Sequence, residues 1–322
     1  MRAGCMQNAT VKMPVSVWGL QRAGGGESTR KPSITHHART CPSRAARPHA
    51  RAHTHLQADD DGALFCWGAG DEGQLGHGTG GTRAHRLVPM RVAGPEVFGA
   101  PLRMVAAGRL HAAAVTDTGA LFTWGRGAEG QLGHGYCQRQ LAPRRVPREL
   151  MGGLPVVLAA CGDEHTLAVT ADGNGWSWGN GDKAQLGHGD LATRLQPTPL
   201  GPERFGSAAV AVAACGAFHN IALTQDGRVW TWGRGGFGAL GHGNQEAQLT
   251  PTLVEPALLG GERAVSASAG FAHSMCVVAS GALFAWGANF SDQLGMGVCQ
   301  ITLLACACVR TCVLPCTQGI CV

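Results

Sequence analysis

The sequence predicts an all-β protein, a β-propeller with about five blades present, and three regularities predict it. Trp-Gly pairs recur at Trp67, Trp124, Trp178, Trp232 and Trp286, at intervals of 57, 54, 54 and 54 residues. His111, His165, His219 and His273 stand 54 residues apart, each three positions after a glycine. LGHG occurs at 75–78, 132–135, 186–189 and 240–243, and returns as LGMG at 294–297. A fixed period of this size marks one supersecondary unit, which buries its apolar face by stacking on its neighbours. Five units result, roughly 56–100, 101–150, 154–200, 207–255 and 262–297, the first lacking its front and the last its end.

Each element of the unit has its own reason to be β. The unit opens on a short apolar run that ends in glycine, as in VVLAACG and AAVAVAACG. HTLAVT or HNIALT then alternates toward an Asp-Gly turn, the strongest short-range hairpin signal, because such turns need positive φ at their centre. The next strand sets an aromatic two residues before the repeat Trp, as in Phe122/Trp124 and Trp230/Trp232, so period two puts both on one face. A last strand carries prolines, as in PTLVEP, which suits a sheet edge. Three or four short strands per unit make a propeller blade.

Composition agrees. Glycine occupies 49 of 322 positions, as in a turn-rich all-β chain. Residues 1–55 hold nine Lys/Arg against one acid, whereas 56–322 hold seventeen against twenty. The basic excess therefore belongs to an arm, and only that arm offers a general attraction for nucleic acid. No apolar run reaches 18 residues, and the start lacks a charged region followed by an apolar one, so neither a transmembrane helix nor a secretory leader is expected. Of thirteen cysteines, six crowd into 299–322 and the rest are scattered, as free thiols in a reducing compartment would be.

Several motifs imitate chemistry. GAGDEG (68–73), GRGAEG (125–130) and GRGGFG (233–238) fit a dinucleotide fingerprint, but QLGHG or ALGHG follows where a helix must begin. No cofactor is expected. The repeat histidines lie one per blade, so no two share the strand or helix face of a zinc pair. An imidazole bonded to backbone within its own blade is the expectation for them and for His77, His134, His188 and His242, and no metal site is assigned. Met296 takes the fifth equivalent position. Asp61, Asp117, Asp172 and Asp226 sit at the hairpin turns, where a short carboxylate bonds its own backbone. No catalytic residue is assigned, and no small-molecule substrate is expected.

The unit as a whole resembles the repeats of the regulator of chromosome condensation family, in the pattern A-G-x-x-H-[ST]-x-A-[LV]-T-x-D-G-x-[LV]-[FYW]-x-W-G-x-[GN]-x-x-G-Q-L-G-H-G. Residues 160–189, ACGDEHTLAVTADGNGWSWGNGDKAQLGHG, match almost every fixed position, and the likeness spans about 56–297. The resemblance implies a β-propeller, typically seven-bladed, against which five units form an incomplete ring. An open arc would expose a Trp-lined blade face at each end. It also implies a non-enzymatic protein-interaction scaffold, or alternatively a guanine-nucleotide exchange factor for a small GTPase.

Partner-binding candidates are the positions that vary inside the fixed frame, because a rigid scaffold places recognition on its loops. Before the repeat His stand Arg109, Asp163, Glu164, Phe218 and Phe271, and after Trp-Gly stand Arg126, Asn180 and Arg234. In the family's exchange factor an acidic residue just before this His contributes to exchange, and Glu164 occupies that slot. In the similar plant ultraviolet-B photoreceptor the motif is G-W-R-H-T. Here Arg109, Asp163, Ala217 and Phe271 fill its Trp slot, so light sensing by that route is not implied. Arg83, Arg86 and Arg91, and then Arg139, Arg144, Arg145 and Arg148, cluster between units, where guanidinium forks suit anionic partners.

The ends read differently. Residues 1–55 are expected to form a disordered basic arm, compatible with a nuclear-targeting segment or an organelle import signal on an otherwise cytoplasmic or nuclear protein. Residues 298–322 are expected to form an unstructured Cys-rich tail.

Overall fold

The computed structural model describes residues 35–37, 54–81, 84–295 and 302–308. They form five four-stranded antiparallel sheets, in each of which consecutive strands are neighbours. Blade 1 comprises β1 (Thr35–His37), β2 (Thr54–Ala58), β3 (Leu64–Gly68) and β4 (Arg86–Ala93). Blade 2 comprises β5 (Leu102–Ala107), β6 (His111–Thr116), β7 (Leu121–Gly125) and β8 (Gln140–Arg145). Blade 3 comprises β9 (Val156–Cys161), β10 (His165–Thr170), β11 (Gly175–Gly179) and β12 (Arg194–Pro199). Blade 4 comprises β13 (Val210–Cys215), β14 (His219–Thr224), β15 (Val229–Gly233) and β16 (Gln248–Leu253). Blade 5 comprises β17 (Ala264–Ala269), β18 (His273–Val278), β19 (Leu283–Gly287) and β20 (Thr302–Cys308).

Burial follows strand position. In blades 2 to 4 the second strand is buried along its whole length, because it packs on a neighbouring blade on each face. Its sequence is accordingly apolar and small, as in HAAAVT. The fourth strand is half-buried to exposed and carries the expected prolines, Pro143, Pro197 and Pro251 among them, of which the last two are buried. The first strands β5, β9, β13 and β17 lie beside one another and line a central cavity of about 420 Å³, walled mainly by alanines and glycines. Small residues are needed there because the inner strands converge.

At the hairpin turns the structure refines the assignment of the acids. Asp172 Oδ1 accepts from the Thr170 hydroxyl at 2.7 Å, and Asp226 Oδ1 from the Thr224 hydroxyl at 2.5 Å. In the first blade Asp59, not Asp61, accepts from a backbone N–H, that of Ala63 at 2.7 Å. At the Asp117 turn the side-chain contact is between Thr116 and Thr118, at 3.0 Å.

Three strands cross the expected limits of the repeats. β1 and the start of β2 fall within 1–55, and β20 falls within the tail that composition marks as unstructured. Each completes a blade by pairing with the strand inside it: Thr35 with Gln57, and Phe284 with Ala307. A sheet edge offers unpaired backbone N–H and C=O groups, and backbone pairing does not require the repeat motif. The remaining expectations for 1–55 and 298–322, and those for Arg83 and Met296, lie outside the described residues.

Candidate functional site

The frame that carries the site is built from the repeat residues. Trp124, Trp178, Trp232 and Trp286 are fully buried between blades. Each indole N–H donates across the junction to a carbonyl in the preceding blade: Gln74, Gln131, Gln185 and Ala239, at 2.9, 2.9, 3.2 and 3.0 Å. The second residue of LGHG must be glycine because the indole lies on it. A Cβ at Gly133, whose φ is +77°, would stand 2.7 Å from Trp178 Nε1. Trp67 departs from this pattern, being half-buried and stacked on His55 at 5.2 Å between ring centres.

The repeat histidines also bridge blades, which corrects the expectation of a backbone partner within each blade. His111 Nε2 meets Thr166 Oγ1 at 2.9 Å, His165 Nε2 meets Asn220 Oδ1 at 2.7 Å, and His219 Nε2 meets Ser274 Oγ at 3.0 Å. Those three partners in turn donate back to Gln131 O, Gln185 O and Ala239 O, at 2.8, 2.8 and 2.9 Å. A hydroxyl that donates to a carbonyl must accept from the ring, and Asn220 Oδ1 can only accept, so Nε2 carries a proton. Burial keeps the rings neutral, pushing His111 and His219 down to about 3 and His165 to about 4. The glycine three positions earlier is required because the ring covers it, and a Cβ on Gly162 would collide with His165 Cε1.

The LGHG histidines stay within their blades but bond side chains. His134, His188 and His242 meet Thr123 Oγ1, Ser177 Oγ and Thr231 Oγ1 at 3.1, 2.9 and 3.0 Å. Cys66 holds that slot in blade 1 and offers His77 no hydroxyl. Among the described residues no group of His, Cys, Asp or Glu is arranged to hold a metal ion.

On this frame the variable residues gather on one rim. Within each blade the loop after Trp-Gly is tied to the loop before the His: Arg126 N–H donates to Leu110 O, Asn180 N–H to Glu164 O, and Arg234 N–H to Phe218 O. Successive blades are tied too, through Arg109 N–H to Gly162 O, Asp163 N–H to Ala217 O, and Ala217 N–H to Phe271 O. The eight candidate residues therefore belong to one continuous, hydrogen-bonded surface.

That surface has two halves. Over blades 2 and 3 it is charged and internally paired. Arg109 faces Asp163 at 3.7 Å, with Asp163 almost fully buried. Arg126 lies 3.5 Å from Glu164 and 3.1 Å from Glu129, and Asn180 Nδ2 donates to Glu164 Oε2 at 3.0 Å. Over blades 4 and 5 it is aromatic: Phe218, Phe271 and Arg234 line a small cleft together with Phe237. Phe237 meets Phe290 edge-on at 5.0 Å, and Phe290 is 61% exposed. Phe237 and Phe290 escape a reading of the repeat alone. Their signal is the missing glutamine of G-Q-L-G-H-G in blade 4, where Ala239 stands. Of the basic clusters, Arg91 pairs with Glu96, Arg144 lies over the Tyr136 ring and Arg148 donates to Thr118 O, all away from this rim.

The profile of the RCC1-like domain matches residues 15–317. The chain belongs to that family. The human E3 ubiquitin-protein ligase HERC2 is 38% identical over 247 residues, covering 75% of this chain and 5% of the ligase. The ultraviolet-B receptor UVR8 of Arabidopsis thaliana is 34% identical over 248 residues, 76% of this chain and 53% of the receptor. This chain thus spans about half, or far less, of the length of these curated relatives. Among solved structures, Prp20p of Saccharomyces cerevisiae superimposes with a TM-score of 0.67 at 22% identity, covering 83% of this chain and 67% of that one. At that identity the likeness concerns the fold; Prp20p itself is described for its binding to Gsp1p and histones. Family membership accounts for the β-propeller architecture and the repeat.

Proposed function

We propose that this protein acts by binding other proteins, as a scaffold without covalent chemistry, and that the rim over blades 2 to 5 is its partner face. One observation carries the reading: the eight candidate positions lie on loops bonded to each other within and between blades. A surface held this rigidly loses little freedom on binding, which favours recognition. The opposite rim carries the hairpin turns, Asp172-Gly173 and Asp226-Gly227 among them, and the short helical connectors between blades. The test is affinity capture with the full chain, quantified across variants. Partners held by the wild type are expected to be lost with Asp163→Lys or Phe218→Ser and kept with Asp172→Lys on the opposite rim. Equal retention by all three removes the proposal.

A second reading is favoured by Glu164. This acidic residue precedes a repeat histidine, and Arg126 and Asn180 hold its carboxylate half-buried on the same rim. Under that reading the partner is a small GTPase, whose nucleotide site is distorted when Glu164 changes partners. The chain would then speed release of a fluorescent guanine nucleotide, and Glu164→Ala would slow that release about tenfold. Unchanged release leaves the scaffold reading alone.

A further inference from the structure

The aromatic half of the rim departs from the repeat in a way that points to a specific kind of partner. In four blades the loop between Trp-Gly and LGHG is braced by its glutamine. Gln74, Gln131, Gln185 and Gln293 each accept, through Oε1, the backbone N–H two residues earlier, at 2.9, 2.9, 2.7 and 2.8 Å. Blade 4 has Ala239 in that position, so this brace is absent there. Its loop follows a different path. Phe237 takes φ +62°, a left-handed conformation that a bulky side chain rarely adopts, and its N–H reaches only Gln245 Oε1, at 3.4 Å.

The new path brings Phe237 against Phe290 of blade 5, where Gly236 removes the side chain that sibling loops carry as Asp71, Ala128 or Asp182. Phe218, Phe237 and Phe271 line a shallow cleft at the blade 4–5 junction, and Phe290 extends it through its edge-on contact with Phe237. Arg234 lines the same cleft and is exposed. Arg109 and Arg126, on the other half of the rim, are each engaged by a carboxylate. Among the described residues Arg234 makes no such ion pair.

We infer that the Phe218–Phe237–Phe271–Phe290 cleft with Arg234 binds an extended peptide segment of a partner protein, one that carries a large apolar side chain flanked by carboxylates. The inference rests on the scaffold reading and names its ligand chemistry. The rings supply the apolar surface, with Phe290 61% exposed and the other three half-buried. The guanidinium offers two donors in a planar fork to a carboxylate, and the cleft is too small and open to enclose a cofactor. Charge complementarity therefore selects the acidic flank, and the shallow shape selects an extended chain.

The test uses the full chain and three fluorescein-labelled peptides with a central leucine flanked by aspartates, by serines or by lysines, read by fluorescence anisotropy. The aspartate-flanked peptide is expected to bind tightest, about tenfold better than the serine-flanked one. Arg234→Glu is expected to reverse the order of the aspartate and lysine peptides. Ala239→Gln restores the brace and draws Phe237 back to the sibling path. That variant, and the surface change Phe290→Ser, are each expected to weaken binding about tenfold at an unchanged melting temperature. An unreversed order in Arg234→Glu, or wild-type affinity in both other variants, overturns the assignment. A captured partner that responds to Arg109→Glu and Asp163→Lys but not to these three also overturns it, while leaving the scaffold reading in place. Partners indifferent to variants in both halves of the rim remove the scaffold reading as well.

Discussion

The junction between blades 1 and 2 and the three junctions that follow use the same tryptophan but different polar chemistry. Strand register aligns Thr54 with the repeat histidines, since Thr54 pairs with Gly68 as His165 pairs with Gly179. It likewise aligns Ala112 with Thr166, Asn220 and Ser274. The first junction therefore lacks both halves of the His clasp. Thr54 bonds Ala69 O in its own blade instead, at 3.1 Å, and the junction is spanned by the Trp124 indole N–H to Gln74 O and by backbone bonds such as Gly78 N–H to Leu141 O. What fills the first junction is apolar: Leu56, Leu64, Phe98, Val105, Phe122 and Trp124 form one cluster. The wedge of tryptophan on glycine is thus the general adhesive. The buried polar clasp is an addition that each junction makes only when both partners are present, because half of it would leave a buried polar atom unsatisfied.

Acid separates the two kinds of junction most strongly. The buried rings of His111, His165 and His219 are neutral in the folded state, with values near 3 and 4 against an ordinary 6.5. The unfolded chain takes up protons first, so stability is fully present above about pH 6.5 and falls as pH drops toward 4 and 3. The loss is expected to be on the order of several kcal/mol by about pH 4.5. Denaturant midpoints measured across that range check it, and a profile flat from 7 to 4 would contradict the neutral clasp. Trp178→Ala comes next, expected to cost about 3–5 kcal/mol in an unfolding titration because no neighbour can fill the wedge. A smaller change is Thr166→Val, which keeps the shape but leaves His111 Nε2 without its acceptor. About 1–3 kcal/mol is expected to be lost, with the pH profile shifted where His111 contributes. Smallest is the gain from installing the clasp at the first junction. In a chain that also carries Arg51→Gly, to supply the glycine the ring needs, Thr54→His with Ala112→Thr is expected to stabilise by about 1 kcal/mol beyond the sum of the single changes, as read from a double-mutant cycle.

Much of this was legible in the residues. The period of 54 exposed the blades, the Asp-Gly turns and alternating strands exposed the hairpins, and the variable slots of the frame proved to share one rim. The partners of the histidines were not legible, because His165 and Asn220 are 55 positions apart and meet only when blades stack. Nor were β1 and β20, since edge pairing relies on backbone groups that every residue carries. The same limit applied to Phe237. Its glycine-rich setting hinted at an unusual loop, but the missing brace of Ala239 has meaning only beside the braced siblings.

By itself the sequence determined the unit: which residues turn, which alternate, and where its Trp, His and Gly recur. These are local matters of sterics and periodicity, repeated often enough to read. The tertiary structure alone decided which groups meet across a junction and which half of the rim is charged or aromatic. Those contacts join residues a full blade apart, and their energies depend on burial, which no single unit possesses until its neighbours are in place.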